Sequence, residues 1–364
     1  MENKPIEHER TLGPVALRGA AEAHGTHPSA PQLALPDFVR GSRLLRLRRR
    51  GAAIVAVWAE DLDRSPAEGM PARRLALAFV ALLAAAVLVT WSEGLAWTPD
   101  RMVLIFLAPA LVMGLAKRYL IDFVPFAVLI VAYAECRGLA HLIAPHPFYR
   151  PQLDLERALF GVVPAQWLQE HYWMGKTHWY DRAATVLMQL HFVVPPVLAF
   201  ALWLRRRALF ARFAVGMVVL SFSAAVVFAV FPSAPPWAAA KAGLLPHVVK
   251  LPLSATPNAS SAGLSAHTVS AASVIPGNPY AAIPSLHAGY AFLVFLTVAR
   301  LLLRRGGRFR RTLVGLALSF PLLESLAVVY TGNHYVVDIA IGFAFAGAAF
   351  AATNRLWRRL DLPG

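Results

Sequence analysis

The sequence of 364 residues is poor in charge and in cysteine, and both shortages restrict what the chain can be. Charged residues make up 15% of it and hydrophobic residues 57%, with a mean hydropathy of +0.53. A water-soluble globule needs more charge on its surface, so this balance indicates a protein with many membrane-spanning segments. The single cysteine, Cys136, excludes an intrachain disulfide and says nothing about the redox compartment.

The N-terminus lacks the apolar core of a secretory signal. Residues 1–50 are rich in proline, glycine, alanine and charge, which predicts a disordered, basic, cytoplasmic segment. Residues 51–73 are predicted to form an amphipathic segment at the inner membrane surface, and a plain basic linker is the alternative.

Eight apolar runs approach or reach the roughly 20 residues that a membrane-spanning helix needs. They predict an all-α, polytopic membrane bundle with a transmembrane domain at 74–354. The second and third runs are short and nearly abut, so they are predicted to form a tight hairpin, and whether it fully crosses the membrane stays open. The predicted spans are 74–91, 102–117, 119–136, 183–204, 212–231, 285–303, 311–330 and 335–354.

The formal net charge of +15 raises the possibility of a nucleic-acid partner, but the positions of the charges argue against it. Lysine and arginine cluster in short stretches between the apolar runs, as they do in cytoplasmic loops of membrane proteins. All these clusters fall on one face if all eight runs cross. We therefore expect a multi-pass protein of the plasma (inner) membrane, with both termini, including the basic tail at 355–364, in the cytoplasm.

The stretch YTGNHYVVDIAIG, residues 330–342, places His334 and Asp338 four residues apart and so on one face of a helix. Because an isolated charge inside the bilayer is costly, Asp338 is expected to pair with His334. The pairing would fix the tautomer of the imidazole and leave its other nitrogen as a better base or nucleophile. A purely structural pair is the alternative.

The stretch IPSLHAGYAF, residues 283–292, opens the sixth predicted span. Pro284 disfavours helix before it and Ser285 is a good N-cap, so the free amides of the first turn are suited to hold a phosphate. Considered alone, His287 is expected to be an incidental histidine of a capped helix, at the boundary between the lipid headgroups and the membrane core. The topology brings it to the same outer face as His334 and Asp338, however, and that convergence favours an active site for phosphoryl-type transfer.

The same three side chains are also the types that ligate zinc or iron. The arrangement of His334 with Asp338 resembles a nucleophile with its orienting carboxylate, and no further ligand is signalled nearby, so we expect no metal. His191, inside the fourth predicted span, is expected either to line the substrate pocket or to form a structural bond between helices.

The motifs PSLHAG (residues 284–289) and HYVVD (residues 334–338) resemble the second and third signatures of the type 2 phosphatidic acid phosphatase superfamily. Together with FPSAPPW (residues 231–237) they are similar to its inositol phosphorylceramide synthase-like branch, over roughly residues 75–354. The resemblance implies a six-helix core and no metal or organic cofactor.

The resemblance also implies roles for three residues. His334 would attack phosphorus and form a phosphohistidine, Asp338 would orient it, and His287 would protonate the leaving oxygen and then deprotonate the acceptor. The expected partners are membrane lipids: a phospholipid donor, such as phosphatidylinositol, and a lipid or glycolipid hydroxyl as acceptor. A lipid phosphate or polyprenyl-phosphate phosphatase and a non-catalytic lipid-binding or transport protein remain alternatives, and the oligomeric state is not indicated.

The sequence departs from the phosphatase pattern in the residues that would bind phosphate. No Lys-x6-Arg-Pro motif is present, and Ala327 and Val328 stand where a serine–arginine pair is expected. The departures favour the transferase-like branch and leave open which cation neutralises the phosphate. The substrate-binding candidates are therefore three cations of the outer face and three further residues: Arg137, Arg182, Lys241, Ser285, His191 and Tyr280.

Overall fold

The computed structural model describes residues 62, 65–93, 99–144, 146–251, 278–304 and 307–362. These residues all belong to one unit, Ala53–Gly364. The predicted disordered segment at 1–50 and most of the predicted amphipathic segment at 51–73 lie outside the described residues.

The described residues form eleven helices and no extended strand. In chain order they are α1 (Ala72–Glu93), α2 (Pro99–Val112), α3 (Ala116–Ile143), α4 (Arg150–Phe160), α5 (Pro164–Tyr172), α6 (Trp179–Arg205), α7 (Arg207–Val230), α8 (Pro236–Lys241), α9 (Leu286–Arg304), α10 (Arg310–Tyr330) and α11 (Val336–Arg359).

Six of these helices, α3, α6, α7, α9, α10 and α11, are long and apolar enough to cross a membrane. Each coincides with one of the last six predicted spans, which confirms the all-α polytopic bundle. The first predicted span corresponds to α1, a helix of 22 residues. The second corresponds to α2, which has 14 residues and is shorter than the roughly 20 that a crossing needs.

A buried ion pair and an aromatic cluster join α3, α6 and α7. The Arg207 Nη2 atom lies 2.5 Å from the Asp122 Oδ1 atom, and the Trp203 indole donates a hydrogen bond of 2.7 Å to Asp122 Oδ2. The rings of Tyr119 and Phe123 stack at 4.5 Å between centroids beside Trp203. A buried charge is tolerated here because its partner and a further donor satisfy it.

The FPSAPPW segment holds together three stretches that precede helices. Ser233 forms parallel backbone bridges with Phe148 on one side and Ala281 on the other, and its hydroxyl accepts a hydrogen bond of 2.8 Å from the Ile283 N–H. The Trp237 N–H donates to the Gly332 carbonyl at 3.1 Å. The segment therefore fixes the chain just before α9 and just before α11.

Gln169, fully buried on α5, is a second connector at this end of the bundle. Its side-chain nitrogen donates to the carbonyls of Val249 and Tyr330 at 2.9 and 2.7 Å, and its oxygen accepts from the Val249 N–H at 2.9 Å. These bonds hold residues 249–251 against the end of α10. Lys250 is therefore held near Gly332, in the turn that leads to α11.

Candidate active site

His334 and Asp338 lie at the start of α11, and Asp338 is bound on two sides. Its Oδ2 atom accepts a hydrogen bond of 2.8 Å from the Tyr335 N–H, which is the reciprocal half of a capping box. The same oxygen lies 3.5 Å from the His334 Nδ1 atom. Asp338 is fully buried. Its carboxylate caps the first turn of α11 and also faces the imidazole of His334.

His287 lies in the first turn of α9, and its Nδ1 atom is 3.0 Å from His334 Nε2. Ser285 begins this helix: its hydroxyl accepts from the Ala288 N–H at 3.4 Å, and its own N–H donates to the Asp338 carbonyl at 3.1 Å. The starts of α9 and α11 are thus tied together by their backbones. Ser285 is fully buried and acts as a cap, and its proposed part in substrate binding stays a prediction.

The close packing of α9 on α11 depends on a glycine. A side-chain carbon added to Gly342 would overlap the carbonyl of Ser285. Because only a residue without a Cβ atom allows this approach, the separation of His287 and His334 is set by helix packing as well as by their own hydrogen bond.

The hydrogen bond between the two rings constrains their tautomers. It needs one N–H and one lone pair, since both atoms are ring nitrogens. With the His334 Nδ1 proton directed to Asp338, His334 Nε2 accepts and His287 Nδ1 donates. This assignment places on His334 Nε2 the lone pair that a nucleophile requires, and the hydrogen bond from His287 must open before that lone pair attacks.

His191, on α6, is brought directly beside His287, with ring centroids 4.1 Å apart. Its Nδ1 atom lies 2.5 Å from the Met188 carbonyl oxygen and 3.4 Å from Oε1 of Glu324 on α10. The structure shows an interhelical contact for His191, one of the two alternatives from the sequence, and its part in lining a substrate pocket stays a prediction.

Two cations lie near His287, and one of them was identified from the sequence. Arg137, near the end of α3, was a sequence candidate; its Nε atom is buried and meets no hydrogen-bond partner among the described residues. Lys250 was not a candidate, and its ammonium lies 5.1 Å from the centroid of the Trp237 ring. Lys250 lies outside every motif, and the long-range bonds of Gln169 to Val249, with the bond from the Leu251 N–H to the Thr331 carbonyl, hold its segment here.

The remaining sequence candidates lie elsewhere. Arg182 and Lys241 are both exposed, and neither is among the charges that act on His287. Tyr280 supplies its backbone carbonyl to the Ser233 N–H at 2.8 Å, and its ring packs edge-on against Tyr149. The structure therefore places His191 beside His287 and Arg137 near it, whereas Arg182 and Lys241 are exposed.

Glu156, which the sequence did not single out, supports the site from α4. It is fully buried, and its Oε1 atom accepts hydrogen bonds from the N–H groups of Val336 and Val337, the first residues of α11. Burial raises the pKa of the Glu156 carboxyl to about 7. A carboxyl at this position satisfies the free amides of the helix that carries Asp338.

Comparison with known proteins gives a family match over this part of the chain. A family model described as the PAP2 superfamily matches residues 152–352, more than half of the sequence. A phosphoinositol dihydroceramide synthase of Bacteroides thetaiotaomicron is 26% identical over 306 residues, covering 76% of this chain and 90% of the relative. No solved structure matches.

Proposed function

Since the chain belongs to the PAP2 superfamily and is a multi-pass membrane enzyme of the phosphatase and phosphotransferase type, we propose that it transfers a phosphate-linked head group between lipids. The transfer proceeds through a phosphohistidine on His334. The observation that carries this proposal is the distance of 3.0 Å between His287 Nδ1 and His334 Nε2, with Asp338 behind His334.

The first half-reaction forms the phosphohistidine. The His334 Nε2 lone pair attacks phosphorus of the donor, and the bond from phosphorus to the donor's lipid oxygen breaks. His287, protonated, gives a proton to that oxygen as it leaves. Asp338 holds the His334 ring and stabilises the positive charge that develops on it.

The second half-reaction returns the enzyme to its starting state. A hydroxyl of the acceptor attacks phosphorus, the phosphorus–nitrogen bond breaks, and His287 takes the hydroxyl proton. With a phosphomonoester as donor and water in place of the lipid hydroxyl, the same two steps would make the site a phosphatase. The donor head group in our proposal is inositol phosphate, because the relative is named as a synthase of phosphoinositol dihydroceramide.

Arg137 and Lys250 are proposed to neutralise the phosphate, in place of the lysine and arginine of the phosphatase pattern. Both act electrostatically on His287, and the Arg137 Nε atom has no partner among the described residues. A phosphodiester placed at His334 Nε2 lies within the field of both cations, which favours the negative charge of the ground state and of the transition state.

Replacing Arg137 with glutamine should lower kcat/KM for transfer by about 10- to 100-fold, because a charge-assisted contact to phosphate contributes about 1.5–3 kcal/mol. Arg182→Gln is the matched control, since Arg182 is an exposed arginine of the same outer face. Kinetics on the purified protein would measure both. Equal losses in the two variants would contradict the assignment of Arg137.

We also propose that the histidines face the extracytoplasmic side and that both termini are cytoplasmic, in the plasma (inner) membrane. The support is the charge distribution: arginine clusters lie at the ends of the spanning helices opposite the histidines, as in the pair Arg310 and Arg311 at the start of α10. A cysteine introduced at exposed Lys176, in a Cys136→Ser background, should react with an impermeant reagent in intact cells. Protection would reverse the orientation.

Mass spectrometry of lipids from cells with and without the protein tests the reaction itself. A new phosphate-linked lipid carrying the donor's head group, together with a matching diacylglycerol product, is the expected result. Release of inorganic phosphate with no new lipid would identify a phosphatase instead. No change in either pool would contradict both activities.

A further inference from the structure

A second carboxylate–histidine pair lies beside the catalytic histidines. His191, on α6, and Glu324, on α10, are both buried, with Nδ1 and Oε1 3.4 Å apart. An acidic side chain inside a membrane helix is costly unless a partner compensates it, and its position usually reflects a function. The mechanism above uses neither residue.

The orientation of His191 is defined by its contacts. A carbonyl oxygen only accepts, so the contact of 2.5 Å with Met188 places the proton on His191 Nδ1 and directs it to that carbonyl, while Oε1 of Glu324 lies 3.4 Å from the same nitrogen. The ring centroid lies 4.1 Å from that of His287, at an interplanar angle of 61°. His287 therefore lies between two histidines, His334 with Asp338 and His191 with Glu324, contributed by different helices.

The charges around His287 explain why a second carboxylate is useful there. The general acid must be an imidazolium in the first half-reaction, and Arg137 and Lys250 already place positive charge nearby. Burying a third positive charge requires a compensating negative one. Asp338 is already bound to the Tyr335 N–H and faces His334, and Glu156 is bound to the N–H groups of Val336 and Val337. Glu324 is the buried carboxyl that lies beside His191, the ring next to His287.

We propose that His191 and Glu324 are positioning residues that hold His287 and stabilise its protonated form. The inference rests on the proposed function and deepens it. His287 loses its proton to the leaving oxygen and regains it from the acceptor hydroxyl, so the cycle balances without a net proton from the pair. Its contribution is electrostatic, exerted through His191 on the general acid.

The test uses leaving groups that differ in their need for a proton. Glu324→Gln keeps the size of the side chain and removes its charge. In the purified full-length protein in detergent, the first half-reaction is followed in single turnover with phosphatidylinositol and with an inositol phosphodiester of p-nitrophenol. The variant should be slower by about 10- to 100-fold with phosphatidylinositol and by less than about threefold with the nitrophenyl ester, because nitrophenolate leaves without protonation.

Ser325→Ala is the matched control on the same helix, because the Ser325 hydroxyl binds the Pro321 carbonyl within α10 and does not reach the site. It should leave both rates unchanged. His191→Asn removes the ring between Glu324 and His287 and should show the same dependence on the leaving group, which keeps the test decisive if Glu324→Gln does not fold.

The outcomes separate the two levels of the proposal. An equal loss with both substrates would assign the pair a structural role and overturn the inference, as would full activity of both variants. If the wild-type protein turned over neither phosphodiester, the proposed function would be wrong, and the inference with it. A defect restricted to phosphatidylinositol supports both.

Discussion

Replacing His334 with alanine should abolish head-group transfer, with a loss of at least about 10³-fold, while the protein accumulates in the membrane as before. The loss follows from the chemistry, since His334 Nε2 supplies the electron pair that breaks the phosphorus–oxygen bond and no other ring nitrogen occupies its position against Asp338. Transfer measured on membranes with equal amounts of wild-type and variant protein gives the result directly.

The intermediate gives an independent readout. A donor labelled in its phosphate should transfer the label to the wild-type protein as an adduct that is labile in acid and stable in alkali, as expected for a phosphorus–nitrogen bond. His334→Ala should take up none. His171→Ala is the matched control, because His171 is an exposed histidine on α5, stacked on Trp167. Full turnover by His334→Ala would rule out the phosphohistidine mechanism.

Sequence periodicity predicted the parts of the site that depend on local geometry. A spacing of four residues placed His334 and Asp338 together on one helix face, and the up-and-down topology placed His287 at the same end of the bundle. The first inference uses only the spacing of residues along a helix, and the second uses only the alternating direction of successive membrane-spanning helices. The structure places the three side chains in a single group, as these rules imply.

The supporting residues were not predictable in the same way. Lys250 approaches the site because Gln169 binds the backbone 80 residues further along the chain, at Val249. Glu156 reaches the start of α11 across 180 residues of sequence. Neither contact leaves a periodic signal, because each is made by a polar side chain on a short helix to backbone atoms whose position depends on the whole bundle.

The hairpin at 102–136 illustrates a different limit. Hydropathy gives the length of an apolar run but contains no information on the residue at which the backbone stops being helical. The structure ends α2 at Val112, and Gly114 then takes a positive φ of 72° before α3 begins. A tight turn that needs a glycine conformation therefore ends the helix at Val112, about five residues before the predicted end of the second span at 117.

The contact between α9 and α11 should be the most sensitive packing position in the bundle. In Gly342→Ala the new methyl group would overlap the Ser285 carbonyl, which is backbone and cannot rotate away. The starts of the two helices must then separate, and the contact of 3.0 Å between His287 and His334 is lost. A displacement of about 1 Å costs on the order of 100-fold in rate, so we expect at least that loss of transfer. Overpacking also costs about 1–3 kcal/mol in stability, which thermal unfolding in detergent would detect.

Gly347→Ala separates this steric effect from the general effect of replacing a glycine in α11. Gly347 lies five residues further along the same helix, and an added methyl group there meets nothing within 4 Å. Because alanine is the better helix former by about 1 kcal/mol, this variant should keep full activity and unfold at the same or a higher temperature. Unchanged transfer by Gly342→Ala would show that the two histidines are held by something other than the packing of α9 on α11. A loss of transfer in Gly342→Ala alone would show that the contact between Gly342 and Ser285, which includes neither histidine, sets the separation of His287 and His334.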